Sequence, residues 1–179
     1  IKELKVLSKR EGEGIWQEQG ALTPTSDIVF SMEDFQTDDF VYQFQVEILN
    51  KCEERVYSNI HNSIRLVAFA DEESNTIDLR WRSYNFWMAD DVRYEILTSL
   101  KADESYVKTL TVLNDTTASI AADESFQYHL RARAVSSNGL LASLSNDVKV
   151  ELSHELVIPN VITPNDDGFN DTFEIKNIK

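Results

Sequence analysis

The strongest constraint on this chain is a strict alternation of apolar and polar residues that occurs twice. It covers residues 40–49 and, 86 positions later, residues 126–135. Each stretch is followed by a Ser-Asn pair, at residues 58–59 and at residues 145–146. Successive side chains of a β-strand point to opposite faces, so this alternation predicts strands with one buried and one solvated face. Repetition at a fixed offset predicts two similar units in tandem.

The second unit contains seven short segments with strand character. Short half-buried strands separated by turns are typical of antiparallel sandwiches, so we predict an all-β fold of tandem antiparallel β-sandwiches. Glycine is scarce, at 5 residues, so the turns depend on Asn, Asp and Ser, as at residues 73–75 and 114–115. Neither unit has an amphipathic helical pattern. The seven segments are 64–69, 77–81, 92–96, 106–113, 117–120, 126–135 and 145–152.

Motifs around Trp81, Tyr94 and Tyr128 give the second unit a resemblance to the fibronectin type III module. The resemblance covers residues 63–152 and implies that Trp81, in the second strand, is a core residue. It also implies that Tyr128 opens the sixth strand. In the first unit only the later strands match, so we expect Ile1 to lie inside a truncated module whose natural chain extends upstream.

Near the C-terminus, an apolar run is interrupted by a turn sequence and then resumes. Pro159 and Pro164 each fix φ and remove a backbone donor, which suits an edge or entry strand. The turn sequence 165–168 combines short polar side chains with a glycine that accepts positive φ. Residues 157–175 are therefore predicted to form a strand, a turn and a second strand.

The same stretch resembles the opening of the gliding-motility-associated C-terminal domain, the sorting domain of many type IX secretion cargo proteins. The resemblance covers residues 157–179 and implies an extracellular protein, associated with the cell surface or outer membrane. Its implied partners are the type IX translocon and outer-membrane proteins. The matching residues are Pro159, Asn160, Thr163, Pro164, Asn165, Asp166, Asp167, Gly168, Asn170 and Asp171.

Together, the two resemblances divide the chain into three predicted segments. Residues 1–62 are a partial fibronectin type III-like module without its first strands. Residues 63–153 are a complete module of the same kind. Residues 154–179 are a linker and the start of a sorting domain, itself a further β-sandwich.

The turn also admits a calcium interpretation. With Gly168 as the sixth position of a calcium loop, Asn165 and Asp167 fall at the third and fifth positions and Glu174 at the twelfth. Thr163 stands at the first position, where an aspartate is expected, and the flanks are strand-like instead of helical. A plain Asx-type turn is the favoured interpretation, so no cofactor is expected, and calcium is the alternative.

Net charge excludes some partners. Lys and Arg total 17 against 31 Asp and Glu, a net charge of −14. A chain this acidic repels phosphate backbones and anionic lipid surfaces, so we expect no nucleic-acid partner. No apolar run is long enough for a membrane span. The single cysteine, Cys52, is expected to be a buried thiol.

Catalytic signatures are absent from the sequence, and we expect no enzymatic activity. There is no phosphate-binding loop, nucleophile elbow or zinc-protease motif. His61 in a loop, His129 on the polar face of a strand and His154 in a linker do not form a ligand cluster by spacing. Four arginines at residues 80, 82, 131 and 133 flank core positions and are predicted to pair with acids on a solvated face.

Two tryptophans have different predicted roles. Trp81 alternates with Leu79 and Ile77 on the inward face, which predicts a core residue. Trp87 follows in the next loop, where an exposed indole could stack on a surface glycan or a protein ligand. Packing against the loop itself is the commoner role of such an aromatic.

These patterns favour a non-catalytic cell-surface or secreted protein, exported by type IX secretion, whose β-sandwich units act as spacers or adhesive units. Gliding motility or surface adhesion is the process that the resemblance implies. One alternative is the stalk of a secreted hydrolase with its catalytic domain upstream. Another is an accessory subunit bound to the type IX translocon.

Overall fold

The computed structural model describes residues 1–23, 29–85, 92–102, 104–122 and 127–152, and every regular element in these ranges is a β-strand. All strand pairs are antiparallel, so the predicted all-β antiparallel fold class is confirmed. None of the described residues forms a helix long and apolar enough to cross a membrane. The strands are β1 (Glu3–Arg10), β2 (Gln17–Leu22), β3 (Tyr42–Leu49), β4 (Arg55–Tyr57), β5 (His61–Asn62), β6 (Leu66–Asp71), β7 (Thr76–Trp81), β8 (Arg93–Ser99), β9 (Val107–Leu113), β10 (Thr117–Ala121), β11 (Gln127–Val135), β12 (Ala142–Leu144) and β13 (Val148–Glu151).

The first five strands form one sheet, here called the N-terminal sheet, in the order β2-β1-β3-β4, with β5 also paired to β3. An irregular segment before β3 packs on one of its faces. The ring of Phe35 lies 4.6 Å from that of Tyr42 and 5.8 Å from that of Phe44, measured between centroids. The Phe30 ring of this segment lies close to Gly20, where a Cβ would stand 3.0 Å from it and would require the ring to shift.

The strands from β6 to β13 form a two-sheet sandwich. One sheet has the order β10-β7-β6, and the other has the order β12-β11-β8-β9 with β13 also paired to β11. All seven strands predicted between residues 64 and 152 are present, and β12 is an additional short strand. The two sheets face each other across a single apolar core.

Trp81 lies in this core with 4% of its surface exposed, as predicted. Its ring is 5.4 Å from that of Tyr94, whose hydroxyl accepts a hydrogen bond of 2.7 Å from the Tyr84 backbone N–H. Fully burying one large aliphatic side chain contributes about 1.5–3 kcal/mol. Most of the stability of the sandwich therefore comes from such residues, and the most completely buried are Ile64, Leu66, Ile77, Ile96 and Leu130.

The internal repeat is confirmed by hydrogen bonding. Ser58 accepts a hydrogen bond from the Val46 N–H and donates one to the Asn59 carbonyl. Ser145 accepts from the Ala132 N–H and donates to the following carbonyl in the same way. The strand order β2-β1-β3-β4 thus corresponds to the order β9-β8-β11-β12, and the N-terminal sheet repeats one sheet of the sandwich.

A β-bulge marks the same position in both copies. The register of β1 against β2 shifts between Val6 and Leu7, and that of β8 against β9 shifts between Ile96 and Leu97. Bulges increase local twist and redirect side chains. Because Val6 pairs with Val46 as Ile96 pairs with Ala132, the two bulges are structurally equivalent.

Three predictions about single residues need correction or refinement. Cys52 is exposed, not buried, because it lies in the turn between β3 and β4. His61 is not in a loop but in β5, paired with Phe44 of β3. His129 does lie on the outward face of β11, but it is buried there beside Asp147, at 3.2 Å between Nδ1 and Oδ2.

The predicted pairing of arginines with acids is confirmed at three of the four positions. Arg133 forms an ion pair with the buried Glu95 across the strand pair β11-β8. Arg131 lies 3.6 Å from Asp147. Arg82 pairs with Glu11 of the N-terminal sheet, so this arginine joins the two halves of the chain instead of covering a face.

Candidate functional site

All residues that the sequence analysis assigned to a ligand or sorting site lie outside the described part of the structure. Trp87 is among them, as are the proposed calcium ligands Asn165, Asp167 and Glu174. Their assignments stay predictions. The predicted sorting-domain residues also lie outside the described part of the structure; they are Pro159, Asn160, Thr163, Pro164, Asn165, Asp166, Asp167, Gly168, Asn170 and Asp171.

Within the described ranges, no group of three or more His, Cys, Asp or Glu side chains could hold a metal ion. The most distinctive arrangement there is the junction between the N-terminal sheet and the sandwich. It is built from loops at one end of the sheet and from the segments that follow β7 and precede β13.

The covalent link at this junction is very short. β5 ends at Asn62, and Ile64, with 1% of its surface exposed, already belongs to the sandwich core. The intervening Ser63 donates its N–H to the Tyr42 carbonyl at 2.8 Å and accepts the Tyr42 N–H on Oγ at 2.9 Å. Both bonds fix Ser63 to β3 of the N-terminal sheet. Flexible linkers need residues without such bonds, so this one-residue link leaves little freedom between the two units.

Asn62 ties this link to the sandwich. Its side-chain amide donates to the Ser83 carbonyl at 2.8 Å and to the Ser63 carbonyl at 3.0 Å. Its side-chain oxygen accepts the Asn85 N–H at 2.8 Å. Asn62 is only 5% exposed, so these bonds form where water cannot easily replace them.

A chain of aromatic contacts runs beside Asn62. His61 Nδ1 lies 2.8 Å from the Tyr84 hydroxyl, and the two ring centroids are 6.0 Å apart. Tyr84 is itself buried, and its backbone N–H donates to the Tyr94 hydroxyl in the sandwich core. Hydrogen bonds therefore connect β5 of the N-terminal sheet to the interior of the sandwich.

Two further contacts flank the link. The Arg82 guanidinium donates from its terminal nitrogen to Glu11 Oε1 at 2.7 Å, and from Nε to both carboxylate oxygens at 3.2 Å. The hydrogen bond to Glu11 raises the pKa of Arg82. Because both side chains are partly exposed, the pair contributes about 0.2–1 kcal/mol and mainly sets orientation.

Asp38 makes the second flanking contact. Its carboxylate accepts a hydrogen bond from the Asn146 amide at 3.0 Å, and its backbone carbonyl accepts from Arg65 Nε at 2.6 Å. The Asn146 side-chain oxygen also accepts a hydrogen bond of 2.7 Å from the Leu66 N–H. Asn146 therefore bonds to both the sandwich and the N-terminal part of the chain.

Sequence reasoning did not identify the junction residues as a group. Asn146 was singled out as one half of a repeated Ser-Asn pair, but its contact with Asp38 joins residues that are far apart in the chain. Asn62 carries no local signal beyond the abrupt change from one strand pattern to the next. An unusually short interval between two predicted strands is the feature that could have indicated a fixed junction.

No protein-family model matches this chain, and no curated protein matches it. The resemblance of residues 157–179 to a sorting domain therefore stays a prediction. Among solved structures, the FN1–FN3 domains of chicken CNTN1 are similar at 16% sequence identity and a TM-score of 0.36. The match covers 83% of this chain and 55% of that one. A likeness at this TM-score supports no inference about function, and the architecture described above follows from strand order alone.

Proposed function

We propose that this chain is a non-catalytic spacer and adhesive unit of an exported cell-surface protein. The observation that carries the proposal is the junction, where a hydrogen-bonded Ser63 is the whole link between β5 and the buried Ile64. A spacer has to fix the distance and orientation of one unit relative to the next. A linker of several free residues would not do so, because it samples many orientations.

The junction contacts come from three separate segments of the N-terminal part of the chain. Glu11 in the turn after β1 and Asn62 in β5 both contact the segment that follows β7, and Asp38, in the segment before β3, contacts Asn146 before β13. Contacts to two separate segments of the sandwich restrict the angle between the two units more than one contact would. A single surface ion pair would be too weak for this purpose, but contacts that share the same two bodies act together.

Single-molecule fluorescence energy transfer tests the spacer proposal directly. One dye is attached to Cys52, the only cysteine in the sequence, and the other to an introduced cysteine at Lys101, which is exposed beyond the end of β8. We expect one narrow distance distribution. In the double variant Glu11→Ala, Asn62→Ala the distribution should broaden and shift to values typical of a mobile joint.

Two controls define the range of this experiment. Inserting Gly-Ser-Gly-Ser after Ser63 gives the broad distribution of a flexible linker. The variant Glu53→Ala removes an exposed ion pair with Lys2 and leaves the junction intact, so it should resemble the wild type. A wild-type distribution as broad as that of the insertion variant would contradict the spacer proposal.

We also propose that the protein leaves the cell by type IX secretion. Support comes from the pattern of prolines, aspartates and glycine at residues 159–171. The region from Leu156 to the C-terminus of the natural protein, fused to a fluorescent reporter with a periplasmic signal, should appear outside the cell. This export should require a functional translocon.

The matched variant replaces Asp166, Asp167 and Gly168 with alanine in the same fusion. Loss of export in this variant would mean that the turn is needed for sorting. Retention of the unmodified fusion in the periplasm would contradict the secretion proposal. Unchanged export of the variant would mean that the turn has no part in sorting.

A further inference from the structure

The outward face of the N-terminal sheet carries an open groove of about 570 Å³. This face is opposite to the one on which Phe35 packs. The floor is apolar at its centre, where Leu7 lies between Glu18 of β2 and Gln45 of β3 in one cross-strand row. The full lining is Leu7, Trp16, Glu18, Gln45, Glu47 and Tyr57.

Aromatic side chains stand at both sides of this groove. Trp16 enters from the start of β2, and Tyr57, which is 49% exposed, stands on β4 at the other side of the sheet. With β1 and β3 between them, three strand spacings separate these walls, or roughly 14 Å. This width suits an extended ligand with more than one ring, and aromatic faces give such ligands a stacking surface.

The charged groups of the groove are already compensated. Lys5 Nζ lies 2.7 Å from Glu18 Oε2, and Arg55 pairs with the buried Glu47. The Tyr57 hydroxyl donates to the other oxygen of Glu47 at 2.8 Å, and this hydrogen bond raises the pKa of Tyr57. The groove thus offers fixed donors and acceptors without a net local charge that would attract an ion.

The equivalent face of the sandwich, here called the filled face, carries a longer side chain at the position of Gln45. Arg131 pairs with Leu97 across the strands as Gln45 pairs with Leu7, and its guanidinium lies 4.6 Å from the Tyr106 ring centroid. Leu97 is consequently only 8% exposed. Tyr106 stands two residues before Lys108, the partner of Leu97, just as Trp16 stands two residues before Glu18.

We propose that the groove on the N-terminal sheet binds a neutral polysaccharide chain. The aromatic side chains of Trp16 and Tyr57 can stack on the apolar faces of sugar rings. The ion-paired carboxylates and cations and the Gln45 amide can form hydrogen bonds with sugar hydroxyl groups. An anionic glycan would be repelled by a chain with a net charge of −14. This inference rests on the adhesive half of the proposed function and gives that half a ligand and a site.

At the position of Gln45 the filled face of the sandwich carries the longer Arg131. Arg131 lies over the Tyr106 ring, whereas the cation over the equivalent Trp16 ring is Lys9, with its Nζ 4.9 Å from the ring centroid, and Gln45 is too short to cover Leu7 as an arginine would. The substitution Gln45→Arg therefore fills the groove with a side chain that the fold already accommodates at the equivalent position. It offers a way to block the site without removing a wall.

Isothermal titration with the full chain tests the proposal. The probes are neutral hexasaccharides with β-1,4-glucan, β-1,3-glucan, β-1,4-xylan and α-mannan backbones, with polygalacturonate and an arginine-rich peptide as charged comparisons. We expect at least one neutral hexasaccharide to bind at millimolar or lower concentration. Trp16→Ala, Tyr57→Ala and Gln45→Arg should each weaken that binding about tenfold or more, the scale of one lost stacking contact.

The matched control is Leu144→Ala. Leu144 is exposed and pairs with Arg133 on the filled face of the sandwich. It therefore holds the position there that Tyr57, the partner of Glu47, holds beside the groove. Its loss should leave binding unchanged. Absence of binding by every neutral probe, or binding that Trp16→Ala and Gln45→Arg leave intact, would overturn the inference.

Preferential binding of the arginine-rich peptide or of polygalacturonate would also overturn it. The energy-transfer experiment at the junction is independent of these outcomes. A narrow distance distribution without glycan binding would leave the spacer function standing and remove the ligand assigned here.

Discussion

Glu95 is a buried carboxylate, 5% exposed, on the outward face of the sandwich. Burial alone would raise its pKa, but the hydrogen bond from Arg133 and the charges of Arg133, Lys108 and Arg93 outweigh burial and lower the pKa below its ordinary value of 4.5. The carboxylate is therefore held in its charged form by three cations, Arg93 on its own strand and Lys108 and Arg133 on the two neighbouring strands. Removing the charge leaves these cations without their shared partner.

We predict that Glu95→Gln lowers the free energy of unfolding by about 1–2 kcal/mol at pH 7. In the wild type, the contribution of a carboxyl group with a lowered pKa is fully present above its unfolded value. It is lost as the pH falls from about 4.5 through the folded value. The difference between variant and wild type should therefore shrink between pH 7 and pH 3 in urea unfolding curves.

Glu104→Gln is the matched control for this prediction. It removes an exposed pair with Lys101, so its effect should stay within about 0.5 kcal/mol at every pH. A difference for Glu95→Gln that does not change with pH would show that the carboxylate contributes through packing and not through its charge.

At the scale of the element, the last strand of each copy is broken at a serine. β12 ends at Leu144 and β13 begins at Val148, and between them Ser145 Oγ accepts the Ala132 N–H at 2.9 Å. The side chain thus replaces a ladder bond that the strand itself no longer supplies. Ser58 fills the same gap between β4 and β5, at 2.9 Å from the Val46 nitrogen.

Ser145→Ala should lower the free energy of unfolding by about 1–3 kcal/mol, because the fully buried Ala132 loses the acceptor of its N–H. Ser137→Ala, in an exposed turn between β11 and β12, should change it by no more than about 0.5 kcal/mol. Chemical denaturation of the three proteins measures both values. Equal stability of Ser145→Ala and wild type would mean that water takes the place of the hydroxyl.

These elements also show what a sequence can and cannot predict. The alternation at residues 126–135 predicts β11 closely, because burial on one face is recorded in the local order of residues. The role of Ser145 is not recorded there, since it depends on β11 lying beside the break. Cys52 was assigned by the general preference of cysteine for the interior, and the turn between β3 and β4 overrides that preference.

Candidate sites were less predictable than strands. Trp16 and Tyr57 lie far apart in the sequence, and only the antiparallel register of four strands brings both to one groove. Asn62 likewise has partners more than twenty residues away. The prediction for Trp87 and those for the C-terminal turn concern residues outside the described ranges, so they stay predictions.

At the scale of the whole molecule, the N-terminal sheet and the sandwich share the junction and should unfold together. We predict one thermal transition, seen alike by a probe on Cys52 and by tryptophan fluorescence in a Trp16→Phe background, in which the signal of Trp81 in the sandwich core is not mixed with that of a tryptophan on the N-terminal sheet. Asn62→Ala should separate the two signals, because it removes bonds to Ser83 and Asn85 at a site closed to water. The N-terminal sheet should then unfold at the lower temperature.

Asn59→Ala is the control for this change, because the exposed Asn59 contributes its backbone carbonyl to the bond with Ser58. It should keep a single transition. If Asn62→Ala also keeps coincident transitions, the coupling between the two parts resides in the contacts of Glu11 and Asp38 instead.

β5 gives the molecule a mechanical property. Its ladder with β3 has two residue pairs, Gln43 with Asn62 and Phe44 with His61, and is continued by the two hydrogen bonds between Ser63 and Tyr42. The chain then enters the core at Ile64. A tensile load across the chain meets this two-pair ladder before it reaches either hydrophobic interior. β5 is therefore the mechanically weakest element of this path. Its detachment from β3 should appear as a small extension at low force in a pulling trace, before the sandwich unfolds.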